Sequence, residues 1–389
     1  MKFKTYQYSK HWTETVSTSS DDAAVEAAKR AGKQLESILS STLLSENLVI
    51  LTGLGTSLCI KDSAGNALAP TMPDLWKAIK AATPDFDTLL ARVQQPKDTH
   101  GWKEDVELLL SRCQMAVVLN SDAIVQAFID KAEALIADKC GFLKFLPVGT
   151  GLPIHEAFLR KLAQRPTRLP RAKLFTTNYD LCFESAAGSA GFVLIDGFSH
   201  ASPQVFDGVH FSYDIVRRDS DNDAPTYIPN TLQLLKLHGS VDWERDSAGM
   251  VRRVSHPAKP VIIYPKNGKF ESSFSQPYFE MMARFQSALR MPNAGLLVVG
   301  FGFNDAHLVG PIESSLRSNS SLKMVVVGPS YESKMPDLVT SLEKLIEAGD
   351  RRLTIVAAGF EDLVSAIPDL KAPSEDELHT ARIRQVINK

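Results

Sequence analysis

Short apolar runs alternate with longer amphipathic stretches over most of the chain. The runs are four to six residues long and rich in Val, Ile and Leu, which is typical of strands buried on both faces of a parallel sheet. They lie at residues 48–51, 174–177, 192–195, 232–237, 261–264, 295–299, 322–327 and 353–357. Strands that alternate with helices in this way predict an α/β fold, a Rossmann-like doubly wound parallel sheet.

Helical spacing is clearest in two regions. Apolar residues recur every three or four positions over 21–44, and the acidic pair Asp21 and Asp22 complements the helix dipole at the start. Residues 74–165 have a helical pattern almost throughout, with Ser121 as a candidate N-cap before one apolar stripe. A helical block between two sheet strands predicts an inserted helical subdomain, placed to cover a cleft.

The ends of the chain differ from this pattern. The first 20 residues are polar and rich in Ser and Thr, which is typical of an arm, and the residues after Pro373 are charged. We therefore predict an N-terminal arm and helix at 1–45 and a main domain at 46–370, with the helical insertion at about 74–165. Residues 371–389 are predicted to form a C-terminal tail.

The composition restricts the function classes. Of the 389 residues, 44% are hydrophobic and 23% are charged, and the formal net charge is −2, so phosphate-driven nucleic-acid binding has no electrostatic support. The four cysteines include no C-x-x-C pair, so we expect no zinc module, no bound metal and free thiols in a reducing cytosol. No apolar stretch approaches membrane-spanning length and the N-terminus lacks the apolar segment of a secretory signal, so we expect a cytoplasmic protein without membrane contact.

Candidate chemistry lies where four of the apolar runs end. The four segments are 53–57, 177–180, 237–240 and 300–305, and each is made of small or polar residues. In an open α/β sheet, ligands bind in the crevice at the carboxyl ends of the strands. The candidate catalytic residues are Asn178, His238 and Asp180. The candidate ligand contacts are Gly53, Leu54, Gly55, Thr56, Ser57, Thr177, Tyr179, Gly239, Gly300, Gly302, Phe303 and Asp305.

Each segment taken alone also has a structural interpretation. Asn178 and Asp180 are common helix caps, and Asp305 is either a ligand contact or the N-cap of the next helix. The two glycines of the first segment lack the third glycine of the dinucleotide fingerprint, so that motif alone is weak. A single histidine after an apolar strand, such as His238, is more often structural than catalytic.

As a set, the four segments resemble the sirtuin-like NAD-binding family, and more closely the bacterial sirtuin-like domains of anti-phage defence systems. In sirtuins a Gly-Ala-Gly loop holds the dinucleotide, an Asn-x-Asp loop lies at the nicotinamide ribose, and a His-Gly pair follows. The matching positions are Gly53 and Gly55, Asn178 and Asp180, and His238 and Gly239. Segment 300–305 resembles the adenosine-side loop, and the resemblance covers about residues 46–365.

Two departures from the family pattern bear on the activity. The paired C-x-x-C motifs of the protein deacylases are missing, and residues 58–61 replace the Ser-Gly-Ile-Pro-type segment that follows the first loop. The resemblance to the defence-associated members therefore implies an NAD glycohydrolase, with NAD as the substrate and no metal. It also implies a homo-oligomer and a partner chain, a hexameric HerA-type ATPase/translocase. Two alternatives are an NAD or ADP-ribose sensor without turnover and a zinc-free deacylase.

The chemistry of NAD cleavage fits the residue types. The nicotinamide–ribose bond breaks through an oxocarbenium-like state, and nicotinamide leaves as a neutral molecule, so no strong general acid is needed. The amide of Asn178 can orient a ribose hydroxyl or the attacking water, and His238 suits general-base work because histidine titrates near neutrality. Asp180 either holds the Asn loop or polarises a ribose hydroxyl. The backbone amides of 53–56 suit the diphosphate.

Overall fold

A computed structural model of the chain describes residues 1–6, 11–17, 21–99, 101–147, 149–218, 225–264 and 276–370. The tail predicted at 371–389 lies outside the described residues. None of the described helices combines the length and the apolarity needed to span a bilayer.

A nine-stranded sheet forms the centre of the described structure. Its strands are β1 (Lys2–Thr5), β2 (Thr13–Glu14), β3 (Asn47–Thr52), β6 (Lys173–Thr176), β7 (Val193–Ile195), β10 (Thr231–Lys236), β14 (Ala294–Val299), β15 (Lys323–Val327) and β16 (Leu353–Ala357). They are ordered β2-β1-β16-β15-β14-β3-β6-β10-β7, and the seven from β16 to β7 are parallel. The predicted doubly wound parallel sheet is confirmed.

The described residues form eleven helices. Some pack on the two faces of the sheet, and the others form a separate unit beside it. The eleven helices are α1 (Asp22–Leu43), α2 (Met72–Ala82), α3 (Phe86–Arg92), α4 (Val106–Asn120), α5 (Ala123–Cys140), α6 (Pro153–Ala163), α7 (Cys182–Ala190), α8 (Tyr278–Arg290), α9 (Ala306–Ser318), α10 (Asp337–Glu347) and α11 (Phe360–Ala366).

Both faces of the sheet are buried, which explains the unbroken apolar runs. Side chains alternate across a strand, so Val49 and Leu51 join one core while Leu48 and Ile50 join the other. The first core is completed by α8, α9 and α10, and the second by α1, α6, α7 and α11. The loops that follow the parallel strands begin together at one edge of this layered core.

The start of the chain differs from the predicted arm, because β1 pairs antiparallel with β16 at the edge of the sheet. The side chain of Phe3 is fully buried, and Lys4 is only 5% exposed. The ammonium of Lys4 lies 2.8 Å from carboxylate oxygens of both Glu343 and Glu347. A lysine neutralised in this way tolerates a buried strand position that its residue type argues against.

Helices α2 to α5 share a core of their own, which we call the helical subdomain. The last helix of the predicted block, α6, packs instead on α7 and α11 in the sheet core. The N-cap of α5 is also not the predicted one. Asp122 accepts hydrogen bonds from the main-chain N–H groups of Ile124 and Val125, whereas Ser121 closes α4 in a left-handed conformation. A carboxylate accepting two N–H bonds is the stronger cap.

Smaller sheets complete the described structure. One has three strands, β11 (Gly239–Arg245), β12 (Val251–Arg253) and β13 (Pro260–Ile262), in the order β12-β11-β13. The two hairpins are β4 (Lys97–Asp98) with β5 (Gly101–Trp102), and β8 (Val216–Arg218) with β9 (Pro225–Tyr227). Ile262 and Tyr264, at and after the end of β13, belong to the core of the helical subdomain, so that subdomain lies against the region next to His238.

Candidate functional site

The four predicted segments follow four neighbouring strands, β14, β3, β6 and β10. Because these strands are parallel, the segments meet at one edge of the sheet. From β3 the chain moves to β6 on one side and later to β14 on the other, so the strand order reverses between β3 and β14. Such a switch point is the usual ligand crevice of a doubly wound sheet.

The two glycine-rich loops at the switch point contact each other through their backbones. The N–H of Gly55 donates to the carbonyl of Gly300 at 2.9 Å. A Cβ at Gly55 would lie 2.5 Å from Cα of Gly300, and Gly300 has a left-handed φ of 62°. A Cβ at Gly53 would lie 2.8 Å from the same carbonyl oxygen. Glycine is therefore required here by the approach of one loop to the other.

The amides of the first loop are largely used inside the protein. The N–H of Gly53 donates to Val299 and the N–H of Thr56 donates to Gly53, at 3.1 and 3.0 Å. Together with Gly55, three of the four amides expected to face a diphosphate are engaged, and the Leu54 amide makes no hydrogen bond within the described residues. In this conformation the loop presents the Leu54 N–H, and not the predicted set of four amides, as a donor to an anion.

Asn178 ties the second segment to the first. Its Nδ2 donates to Oγ of Ser57 at 2.9 Å and to the carbonyl of Gly53 at 3.1 Å, with Oγ1 of Thr56 at 3.4 Å. The residue is 8% exposed, so these bonds are shielded from water. No group among the described residues donates to its carbonyl Oδ1. That oxygen is consequently the atom of Asn178 that a ligand or a water molecule would contact.

Asp180 uses both carboxylate oxygens within the fold. Oδ2 accepts from Oγ of Ser57 at 2.7 Å, and Oδ1 accepts from the N–H of Cys182, the first residue of α7, at 3.1 Å. The helix-start bond thus comes from Asp180, while the amide nitrogen of Asn178 bonds to the glycine loop. This arrangement fixes the position of the Asn loop between the sheet and α7.

The flanking residues Thr177 and Tyr179 also bond to the protein. The Thr177 N–H donates to the carbonyl of Thr52 at 3.0 Å. The Tyr179 hydroxyl donates to the carbonyl of Ile263 at 2.5 Å, and its ring packs on the core of the helical subdomain. Burial raises the pKa of Tyr179 well above its ordinary value, so the hydroxyl remains a donor.

A buried lysine bonds to the backbone of the loop at residues 177–180. Lys236, the last residue of β10, is 2% exposed and its ammonium donates to the main-chain carbonyls of Tyr179 and Asp180. It also lies 2.9 Å from Oε1 of Glu184 on α7. Burial raises the pKa of Glu184, an effect that the Lys236 charge opposes. Sequence reasoning missed this residue; the signal was a lysine inside an otherwise apolar run.

His238 lies beside a second histidine. Its Nε2 is 3.1 Å from Nε2 of His307, and the ring centroids are 5.2 Å apart. Its carbonyl accepts from the N–H of Ile263 at 2.8 Å, and the residue is 4% exposed. Gly239 has a left-handed φ of 81°, and a Cβ there would lie 2.1 Å from a carbonyl oxygen of β13. Both features hold His238 in place.

Asp305 joins the two histidines. It occupies the N-cap position of α9 but makes no capping hydrogen bond with its side chain. Its carboxylate and one nitrogen from each of His238 and His307 all lie within 4.8 Å of one another. His307, which lies 69 residues from His238 in the chain, is not among the predicted site residues. The structure makes it a neighbour of the candidate base.

The rest of the 300–305 segment is an aromatic support. Phe301 and Phe303 are buried with ring centroids 5.1 Å apart, and Phe303 adopts a left-handed φ of 57°. The hydroxyl of Tyr331 donates to the carbonyl of Phe301 at 3.4 Å. Gly302 is exposed, and a Cβ there would meet only the side chain of Asn304. Glycine is thus not sterically required at 302.

A cavity of about 340 Å³ lies away from the four segments. Its charged lining residues are Glu184, Asp196, Asp242 and Arg253, and Arg253 lies 2.7 Å from Asp196 and 3.2 Å from Asp242. None of the predicted site residues lines it. The convergence of the four loops, and not this cavity, therefore defines the candidate site.

Comparison with known proteins agrees with the sequence resemblance over part of the chain. No curated protein sequence matches it. A solved structure from work on the mechanism and regulation of Sir2 enzymes aligns with a TM-score of 0.40 and 13% identity, over 90% of this chain and 98% of that chain. Cytosolic 5′-nucleotidase IIIB bound to cytidine aligns with a TM-score of 0.28 and 12% identity, over 90% and 92%. Residues 172–345 match the family model of the SIR2-like domain, a range that includes Asn178, His238 and Asp305.

Proposed function

We propose that the chain is an NAD glycohydrolase, which converts NAD and water into ADP-ribose, nicotinamide and a proton. The observation that carries the proposal is the placement of Asn178. Its nitrogen is fixed by the glycine loop at the switch point, which leaves its carbonyl oxygen for a ligand. The match of residues 172–345 to the SIR2-like domain supports NAD as that ligand.

In the proposed mechanism the protein holds the ribose and activates water. Oδ1 of Asn178 accepts a hydrogen bond from a ribose hydroxyl or from the water, and so orients it toward the anomeric carbon. The ribose–nicotinamide bond breaks as an oxocarbenium-like state forms, and neutral nicotinamide departs with the bonding electrons. His238 takes the proton of the attacking water.

Two further residues act through the catalytic pair. Asp180, with both carboxylate oxygens bonded inside the fold, holds the Asn loop and is a positioning residue in this proposal. His307 sets which nitrogen of His238 carries the proton, because two Nε2 atoms 3.1 Å apart form a hydrogen bond only when one donates and the other accepts.

The test is nicotinamide release from NAD by the purified chain, followed by chromatography. We expect Asn178→Ala and His238→Ala each to lower the rate by about two orders of magnitude or more. Exposed residues of the same types provide matched controls, Asn66→Ala and His256→Ala, which should retain the wild-type rate. Undiminished release by both site variants would refute the mechanism. If NAD stabilises the chain but no nicotinamide is released, the result would indicate a sensor. If nicotinamide is released only when an acyl-lysine peptide is present, it would indicate a deacylase.

We further propose that this activity depletes cytoplasmic NAD during phage infection and that assembly controls it. The expected assembly is a homo-oligomer with a hexameric HerA-type ATPase/translocase. The tip of the helical subdomain exposes apolar side chains at the end of α4 and the start of α5, which supports it as a contact surface. These residues are Met115, Val118, Leu119 and Ile124.

The assembly has its own test. Val118→Glu and Leu119→Glu should lower the mass of the oligomer, or prevent co-purification with the partner, when measured by light scattering after size exclusion. Glu107→Lys, a charge change on the same helix but away from the tip, is the control. A wild-type chain that stays monomeric with and without the partner would contradict the proposal.

A further inference from the structure

The group formed by His238, Asp305 and His307 has a composition that the proposed hydrolysis does not require. Two imidazole nitrogens and a carboxylate converge within 4.8 Å, from the end of β10 and the start of α9. We propose that these three side chains bind one divalent transition-metal ion, with Zn²⁺ the best match. The sequence predicted no metal, because residues so far apart give no ligand spacing to recognise.

The distances fit a shared metal ion. Zinc binds imidazole nitrogen at about 2.0–2.1 Å, so two such ligands of a tetrahedral ion lie about 3.3 Å apart. The Nε2 atoms of His238 and His307 are 3.1 Å apart, a few tenths of an ångström from that value. The carboxylate of Asp305 lies within 4.8 Å of both nitrogens and reaches ligand distance by moving at most about 1.5 Å.

The backbone around the group is fixed on one side and begins a helix on the other. His238 is held by the Ile263 N–H and by the turn at Gly239, so its ring has a defined position. Asp305 is at the N-cap position of α9, where its backbone is extended and its side chain does not cap the helix. The helix dipole disfavours a cation at the start of α9, an effect that the negative charge of the Asp305 carboxylate opposes.

The ligand set also indicates the kind of site. Structural zinc sites are usually closed by four protein ligands, whereas two histidines and one carboxylate leave a coordination position open. An ion here would be bound to Nε2 of His238 and would also contact a ligand molecule in the crevice. If the proposed function holds, on which this consequence rests, an ion on Nε2 of His238 leaves the remaining ring proton on Nδ1, so the ring has no free nitrogen to accept the water proton. Metal binding then suppresses NAD hydrolysis.

Metal uptake can be measured without any NAD. The full chain, treated with a chelator, is titrated with Co²⁺ while its visible absorption is recorded, and Zn²⁺ is then added to displace it. We expect one Co²⁺ to bind per chain, with an absorption spectrum typical of Co²⁺ at a low coordination number. Added Zn²⁺ should displace the bound Co²⁺. His307→Gln and Asp305→Asn keep the size and hydrogen bonding of the side chains, and each should weaken binding by more than about tenfold. His256→Ala, an exposed histidine, should bind as the wild type does.

The outcomes separate the two proposals. No Co²⁺ uptake by the wild type would overturn the metal site and leave the two histidines as a hydrogen-bonded pair. Equal affinity in the wild type and both site variants, with unchanged melting temperatures, would place the ion elsewhere and overturn it as well. Uptake lost in both variants supports the site even if the chain releases no nicotinamide. In an active chain, Zn²⁺ at the saturating level should stop release, and the chelator should restore it.

Discussion

The hydroxyl of Ser57 donates a 2.7 Å hydrogen bond to the carboxylate of Asp180, a residue 123 positions further along the chain. The same hydroxyl accepts a 2.9 Å bond from Asn178. One fully buried serine thus connects the glycine loop with both polar residues of the Asn loop. The separation of the two strand ends in sequence hides this contact, although both loops were recognised as candidates.

Replacing Ser57 with alanine should destabilise the protein and disturb the site together. The change removes a donor to Oδ2 of Asp180 and one of the acceptors of Nδ2 of Asn178 in a buried site, which costs about 1–3 kcal/mol in the free energy of unfolding. Urea denaturation measures the loss. Ser63→Ala, in an exposed loop, is the control and should unfold as the wild type does. Coincident denaturation curves for the Ser57 variant and the wild type would show that these hydrogen bonds make no net contribution to the free energy of unfolding.

Alanine at Gly55 should be strongly destabilising. Its Cβ would lie 2.5 Å from Cα of Gly300, and neither backbone can retreat without breaking the bond between the loops. Overpacking of this kind costs about 1–3 kcal/mol or more. Gly188→Ala is the matched control, because Gly188 lies in helix α7, where a Cβ would have no atom from outside its own helix turn within 4 Å. It should be neutral or stabilising by about 0.5–1 kcal/mol. Equal melting temperatures for the two variants would refute this account.

The cost of Lys236→Met should depend on pH. Burial raises the pKa of Glu184, so this carboxyl stabilises the fold fully below its unfolded pKa, and the contribution is lost as the pH rises through the folded value. Without the ammonium of Lys236, ionised Glu184 is buried and unpaired, so the variant loses more stability at about pH 8 than at about pH 5. Chemical denaturation at both pH values measures the difference. Adding Glu184→Gln should remove the pH dependence, and a variant that keeps it would contradict the assignment.

The cysteines should be unreactive in the folded protein. Burial raises the pKa of Cys59, Cys113 and Cys140 to about 12, and that of Cys182 well above its ordinary value. At neutral pH the thiolate fraction of such a group is about 10⁻⁵. A colorimetric thiol reagent at pH 7 should therefore react only slowly with the native chain. After denaturation the same reagent should react with all four thiols. Rapid reaction of Cys59, which is only partly buried, would show that the glycine loop opens.

The sequence was sufficient for the fold class and for the location of the candidate site. A strand buried on both faces must be apolar at every position, so runs such as 48–51 and 295–299 are visible without an alignment. The loops that follow parallel strands must share one edge, so recognising the strands also placed the loops together.

The features that could not be predicted from the sequence depend on contacts between residues that are distant in the chain. Lys4 occupies a buried strand because Glu343 and Glu347 neutralise it, and no local pattern reports that pairing. Gly55 is a candidate ligand contact in the sequence, but in the structure the need for glycine at this position arises from its approach to Gly300. His307 likewise gains its significance only when the end of β10 and the start of α9 are brought together.

Tyr179 occupies two environments at once. Its backbone lies between Asn178 and Asp180, while its hydroxyl bonds to Ile263 and its ring packs on the core of the helical subdomain. The subdomain cannot shift relative to the sheet without breaking this anchor or displacing the residue next to it. The orientation of the subdomain and the position of the Asn178 amide are therefore mechanically coupled, and a displacement of α2 to α5 reaches the Asn loop through this aromatic side chain.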